Sequence, residues 1–243
     1  MNTKEIRSIN SEIRSITGLR AIAALGVYIN HFGNPTWFPN SLSNIQSNGG
    51  LAVPFFFVLS GFVLTLAYDG KKIDARTFYL NRFARIGPTY FVALFIAAAY
   101  VSLSGFTFDH IFIMHLFGLQ AWFPTSDSGF AFNGPGWTIS VEIFFYALFP
   151  ILFTLFNSSH IFVRKWQFIV FLGISVSVIP FLVHIYALGE LRGLEDSHFW
   201  PYPLPFHYLG LFMLGIGGFK ARDSFRKVLP SKFLAALLCD ITL

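Results

Sequence analysis

Seven apolar stretches, separated by short polar gaps, organise the chain. They run from Gly18 to Phe32, Leu51 to Ala67, Pro88 to Leu103, Trp137 to Phe156, Phe168 to Ala187 and Pro205 to Phe219, with a last one opening near Leu229. Stretches of this length and character predict membrane-spanning helices. An eighth apolar piece, Ile111 to Phe123, is too short for a comfortable crossing and predicts a re-entrant or interfacial helix. The expectation is therefore an all-α, polytopic transmembrane helix bundle of about seven spans plus one short helix. No internal repeat and no linker divides it, so residues 16–243 read as one membrane domain after a short cytoplasmic segment, 1–15.

Composition supports that picture. Of 243 residues 54% are apolar and 12% charged, whereas soluble domains carry about 25% charged residues. The chain lacks the polar surface to cover itself in water, which excludes disordered, collagen-like, coiled-coil and nearly all soluble classes. The single Cys, Cys239, excludes an internal disulfide and a Cys-based metal cluster.

Charge then orients the bundle. The chain is basic, but in a membrane protein Lys and Arg report topology before they suggest nucleic acid, and no nucleic-acid partner is expected. If the short piece does not cross and the N-terminus is inside, 15 of the 17 basic residues fall in cytoplasmic segments. Arg192 lies outside and Arg20 lies within a span. If the piece crossed, Arg164, Lys165 and the last basic cluster would be outside. The first topology fits the positive-inside bias and puts the loops at 34–47, 124–136 and 189–203 on the far side. The first stretch ends in Ile29-Asn30-His31-Phe32 without a small-residue cleavage pattern, and so reads as an uncleaved span.

Ionisable groups inside spans cost about 2.5 to 3.5 kcal/mol each on insertion scales, so each is a functional candidate. Arg20 and His31 are eleven residues apart, which puts them on one helical face about 16 Å apart along the axis. Either Arg20 snorkels to the inner headgroups with His31 at the outer interface, or the two mark the ends of a functional face. Glu142 follows Pro135, Gly136 and Trp137 at a helix start. Either it answers the helix dipole, or it faces a wet cavity and pairs with a cation or a donor hydroxyl, with Trp137 and Ser140 near the same mouth. Arg82 and Arg85, three apart in a basic amphipathic stretch, read either as a membrane-surface contact or as a clamp for a phosphorylated anion. The histidines show no metal-ligand spacing, and no metal is expected. No glycine-rich nucleotide loop, Gly-x-Ser-x-Gly elbow or zincin pair is present.

The motifs together resemble the acyltransferase-3 family of membrane acyltransferases, which O-acylate cell-surface and secreted carbohydrates. The resemblance rests on Ile16-Thr17-Gly18-Leu19-Arg20 with ten residues between Arg20 and His31, and on Val53-Pro54-Phe55-Phe56-Phe57-Val58-Leu59-Ser60-Gly61-Phe62. It continues with Arg82-Phe83-Ala84-Arg85 and with Gly136-Trp137-Thr138-Ile139-Ser140-Val141-Glu142. Phe206-His207-Tyr208-Leu209-Gly210 resembles a later helix, so the match covers about residues 16 to 220. Ala52 stands where many members have Gly. The family's body typically has more helices than this chain, which implies either a short member or a C-terminally truncated product.

The resemblance implies an acyl-CoA donor on the cytoplasmic side, acetyl-CoA being the commonest, with no bound cofactor. It implies a carbohydrate or glycolipid acceptor such as O-antigen, and residence in the inner (plasma) membrane. Arg82 and Arg85 would hold the CoA phosphates and Arg20 would steer the donor. His31 would act as general base, with Glu142 orienting it or the acceptor. The competing readings are a small membrane transporter or permease, since intramembrane Arg, His and Glu also mark ion paths, and an inactive truncated acyltransferase.

Overall fold

The computed structural model describes residues 3–33, 49–103, 110–122, 130–157, 165–191 and 204–228. Among them are seven α-helices: α1 (Thr3–Phe32), α2 (Ala52–Tyr68), α3 (Ala75–Ser102), α4 (His110–Leu116), α5 (Trp137–Phe156), α6 (Trp166–Leu191) and α7 (Pro205–Val228). Short 3-10 turns at Gly49–Leu51 and Gly134–Gly136 lead into α2 and α5. The described residues contain no strand, so the protein is an all-α helical bundle. Gly49–Tyr68, Ala75–Ser102 and Gly134–Phe156 are long and apolar enough to cross a bilayer, and Trp166–Ile179 is a shorter apolar helix. The span expected from Leu229, and most of the far-side loops expected at 34–47, 124–136 and 189–203, lie outside the described residues.

Two helices begin well before their apolar stretches. α1 starts at Thr3 rather than Gly18, because the polar Thr3–Ser15 segment carries no helix breaker and repeats Ile6, Ile9 and Ile13 at helical spacing. α3 starts at Ala75, thirteen residues before Pro88. Its N-cap is Asp74, whose carboxylate accepts from the Thr77 N–H at 2.9 Å. The Thr77 hydroxyl, followed by that N–H, holds the Asp74 carboxyl below the ordinary range. Pro88 sits inside α3 without ending it, a tolerance common in membrane helices. Arg82 and Arg85, expected on one face of a basic amphipathic cytoplasmic segment, therefore lie in a helix that continues into the apolar stretch.

Side-chain pairs fix the helix directions. Phe78 stacks on Phe149, the Tyr79 hydroxyl donates to Ala147 O at 3.2 Å, and Arg82 lies over Tyr146. Rising numbers on α3 thus meet falling numbers on α5, and the two helices are antiparallel. The chain between them must leave and return at the same end, so α4 does not cross. α4 stops in a Schellman turn: Leu119 N–H donates to Met114 O and Gly118 N–H to His115 O, at 2.7 and 3.1 Å. Gly118 has φ +66°, and a Cβ there would strike Ile143. The Tyr90 hydroxyl donates to His115 O at 2.5 Å, and the Gln120 side-chain amide donates to Gly136 O at 2.9 Å. These bonds pin the short helix and its turn against α3 and the entry to α5.

α7 closes the bundle. It runs parallel to α2, with Phe57 beside Tyr208, Phe62 beside Phe219, and Asp69 paired to Arg222 at 3.2 Å. In lipid, helix association depends on close packing rather than on a hydrophobic drive. Glycine supplies it here: a Cβ on Gly61 would collide with Phe212 O, and one on Gly215 with Val58 O. The core between α2, α5 and α7 is aromatic, led by Phe57, Phe145, Phe149 and Phe212, with Phe145 and Phe212 stacked at 4.6 Å.

Candidate active site

Helix spacing assembles the polar residues. Arg82 and Arg85 are three apart on α3, and Glu142 and Tyr146 are four apart on α5, so each pair shares a face. Because α3 and α5 are antiparallel, the pairs meet. Arg20, on α1 beside α2, completes the ring. The result is a cavity of about 210 Å³ bordered by Arg20, Ser60, Arg82, Arg85, Glu142 and Tyr146.

The Tyr146 hydroxyl donates to Glu142 Oε2 at 2.9 Å. Arg20, Arg82 and Arg85 border the same cavity as Glu142. The Arg82 guanidinium lies 5.8 Å from the ring centres of both Phe78 and Tyr146, within cation–π range. Its Nε is buried and has no hydrogen-bond partner. Three guanidiniums against one acidic side chain leave the cavity lining with an excess of basic groups. Such a cluster is costly when empty and is relieved by an anion with several negative oxygens.

The other expected site residues lie elsewhere. His31 is exposed in the last turn of α1, about 16 Å along the axis from Arg20. Its Nδ1 is 3.0 Å from Val27 O. A carbonyl only accepts, so Nδ1 is the donor in this contact and Nε2 is directed away from it. Glu142, expected to orient His31 or the acceptor, has the Tyr146 hydroxyl as its hydrogen-bond donor, and His31 does not border its cavity. Trp137 is buried in the packing, its rings 6.1 Å from Phe57 and 5.4 Å from Tyr208. Ser140 is fully buried and donates to Gly118 O at 2.5 Å. Neither borders the cavity, because Glu142 follows Ser140 by two residues, about 200° around the helix.

Tyr146 and Ser60 were not among the expected site residues. The signal for Tyr146 was its i+4 spacing from Glu142. Ser60 gives no signal of its own, because its place depends on how α2 packs. Among the described residues no three His, Cys, Asp or Glu side chains gather as a metal site requires.

The sequence resembles those of known proteins. The chain is 32% identical over 180 residues to the acyltransferase MdmB of Streptomyces mycarofaciens, covering 69% of this chain and 46% of that protein. It is 29% identical over 162 residues to the exopolysaccharide production protein ExoZ of Rhizobium meliloti, covering 65% and 46%. It is 28% identical over 183 residues to the O-acetyltransferase OatA of Staphylococcus aureus, covering 63% and 28%. These matches thus span less than half the length of each relative. No solved structure matches the chain. Residues 13–243 match the acyltransferase domain that defines the acyltransferase-3 family, and the chain belongs to that family.

Proposed function

We propose that this chain is a multi-pass inner-membrane O-acyltransferase. In this reading it moves an acyl group, acetyl in the first instance, from cytoplasmic acyl-CoA to a hydroxyl of an exported or cell-surface carbohydrate or glycolipid. The observation that carries the reading is the cavity where Arg20, Arg82 and Arg85 converge on Glu142 inside a membrane bundle. CoA presents a diphosphate and a further phosphate, and clustered guanidiniums complement such groups through paired, charge-assisted hydrogen bonds. The relatives' names add an acetyl group and an exopolysaccharide as the nearest chemical precedents. The end of the bundle with Asp69, Lys71, Asn157, Lys220 and Arg222 is basic, and the positive-inside bias makes it cytoplasmic, with the N-terminus on that side.

Arg82 and Arg85 hold phosphates and Arg20 guides the donor past α2. Glu142, oriented by Tyr146, limits the repulsion among the guanidiniums while the site is empty. The pantetheine arm then reaches along α1 toward His31. His31 Nε2 takes the proton of the acceptor hydroxyl as its oxygen attacks the thioester carbonyl. The carbon–sulfur bond breaks, an ester forms, and the imidazolium returns its proton to the departing CoA thiolate. A positioned general base of this kind contributes about 10² to 10⁴ in rate.

The test is to incubate inverted membrane vesicles containing the protein with acetyl-labelled CoA and follow the label. The expected result is ester-linked label in the carbohydrate fraction, reduced at least a hundredfold in His31→Ala. Label that crosses the vesicle unchanged without entering carbohydrate would instead indicate transport.

A further inference from the structure

A second cavity, of about 370 Å³, adjoins the polar one and shares Arg82, Ile86 and Tyr146 with it. It runs along α3 from Tyr79 to Phe91, a rise of about 18 Å, and is closed on the other side by Gly118, Ile139, Ile143 and Ala147. Its volume is in the range of small-ligand sites. Arg82 is the single charged residue in its lining, and the remainder is predominantly apolar. The rim is open: Phe83 is 60% and Phe117 66% exposed, and both would face lipid in a membrane.

The depth of the groove narrows its occupant. α3 has 28 residues, about 42 Å, against a hydrocarbon thickness of about 30 Å, so roughly 6 Å extends beyond each boundary when the helix is centred. Arg82 is about 10 Å from the start of α3 and thus lies just inside the boundary at the end that carries Asp69 and Arg222. From there the apolar lining continues toward the midplane. The arrangement matches a lipid of that leaflet, with phosphate at the boundary and alkyl chain below it. The buried Arg82 Nε, a donor with no acceptor, supplies the charge complement.

We propose that this groove binds one anionic glycerophospholipid from the leaflet on the Arg222 side, its phosphate on Arg82 and one acyl chain between α3 and α5. A lipid seated there places a competing phosphate beside the CoA site through the one arginine common to both cavities. The inference rests on membrane placement and not on the transfer reaction, and its readout needs no turnover.

Native mass spectrometry of the full chain, purified in mild detergent and supplied with phosphatidylglycerol or phosphatidylcholine, tests it. The expected result is one retained phosphatidylglycerol per chain, favoured at least tenfold over phosphatidylcholine. Ala147→Phe fills the groove without touching the polar cavity and should lower retention at least tenfold. Phe83→Trp, which narrows the rim, provides a second route if the first variant does not fold. Arg82→Gln should abolish the preference for the anionic lipid. Equal retention of both lipids, or undiminished phosphatidylglycerol in folded Ala147→Phe or Phe83→Trp, would overturn the proposal. So would a polyprenyl phosphate that displaces phosphatidylglycerol stoichiometrically, since it would assign the groove to a lipid-linked acceptor.

Discussion

Glu142 sits inside the bundle with the Tyr146 hydroxyl donating to it at 2.9 Å and three guanidiniums bordering the same cavity. Its presence within a span was legible in the sequence as a costly residue, and so was its need for a cation or a hydroxyl. Its partners were not legible, since they come from α1 and α3 and depend on how those helices pack. Tyr146→Phe removes a hydrogen bond to a charged group, worth about 1.5 to 3 kcal/mol. The expected outcome is a ten- to hundredfold fall in kcat/KM for acetyl-CoA, measured by steady-state transfer, with the protein still folded. Ser140 has the opposite signature. Ser140→Ala leaves the buried Gly118 carbonyl without its donor, and should lower stability by about 1 to 3 kcal/mol while leaving CoA affinity unchanged. Thermal unfolding alongside CoA titration distinguishes that structural role from the substrate-binding role expected from its spacing with Trp137 at the cavity mouth.

At the scale of elements, apolar runs located helices but not their starts. Asp74 begins α3 through a local cap, and the helix then carries Arg82 and Arg85 into the bundle, where the sequence pattern had placed them in a cytoplasmic amphipathic segment ahead of the span. The folded Asp74 has a pKa lowered by Thr77, so its contribution is present above the ordinary carboxylate range. It is lost as pH falls through that range and below the folded value. Amide hydrogen exchange at residues 75–78 should therefore quicken on acidification, relative to an Asp74→Asn variant that titrates no carboxylate there. The crossing of α2 and α7 was equally hidden, because a glycine in an apolar run does not announce which backbone it touches. At Gly61 and Gly215 the obstacle to a side chain is backbone, which cannot rotate away. Gly215→Ala should cost about 1 to 3 kcal/mol in thermal unfolding, as overpacking does, and the less crowded Gly218→Ala should cost less.

For the whole molecule, packing agrees with the expectation that the short helix does not cross: α3 and α5 are antiparallel, so the chain between them returns to the end it left. With Cys239 replaced by Ser, cysteines introduced at Lys71 and Asn157 should react with an impermeant maleimide from one side of the membrane, and one at Leu103, just past the other end of α3, from the other. The bundle thus holds His31 near one end and the guanidinium cavity deeper toward the other, a separation the Arg20–His31 spacing had already indicated. The central claim is that this cavity is the donor site, and it is tested most directly by the Kd of CoA for the purified chain, measured by calorimetry at low salt. The account predicts that Arg85→Gln and Arg82→Gln each weaken binding about tenfold or more, in line with losing a charge-assisted contact of about 1.4 kcal/mol or more, and that added salt erodes the wild-type affinity. CoA affinity unchanged in both variants would contradict it.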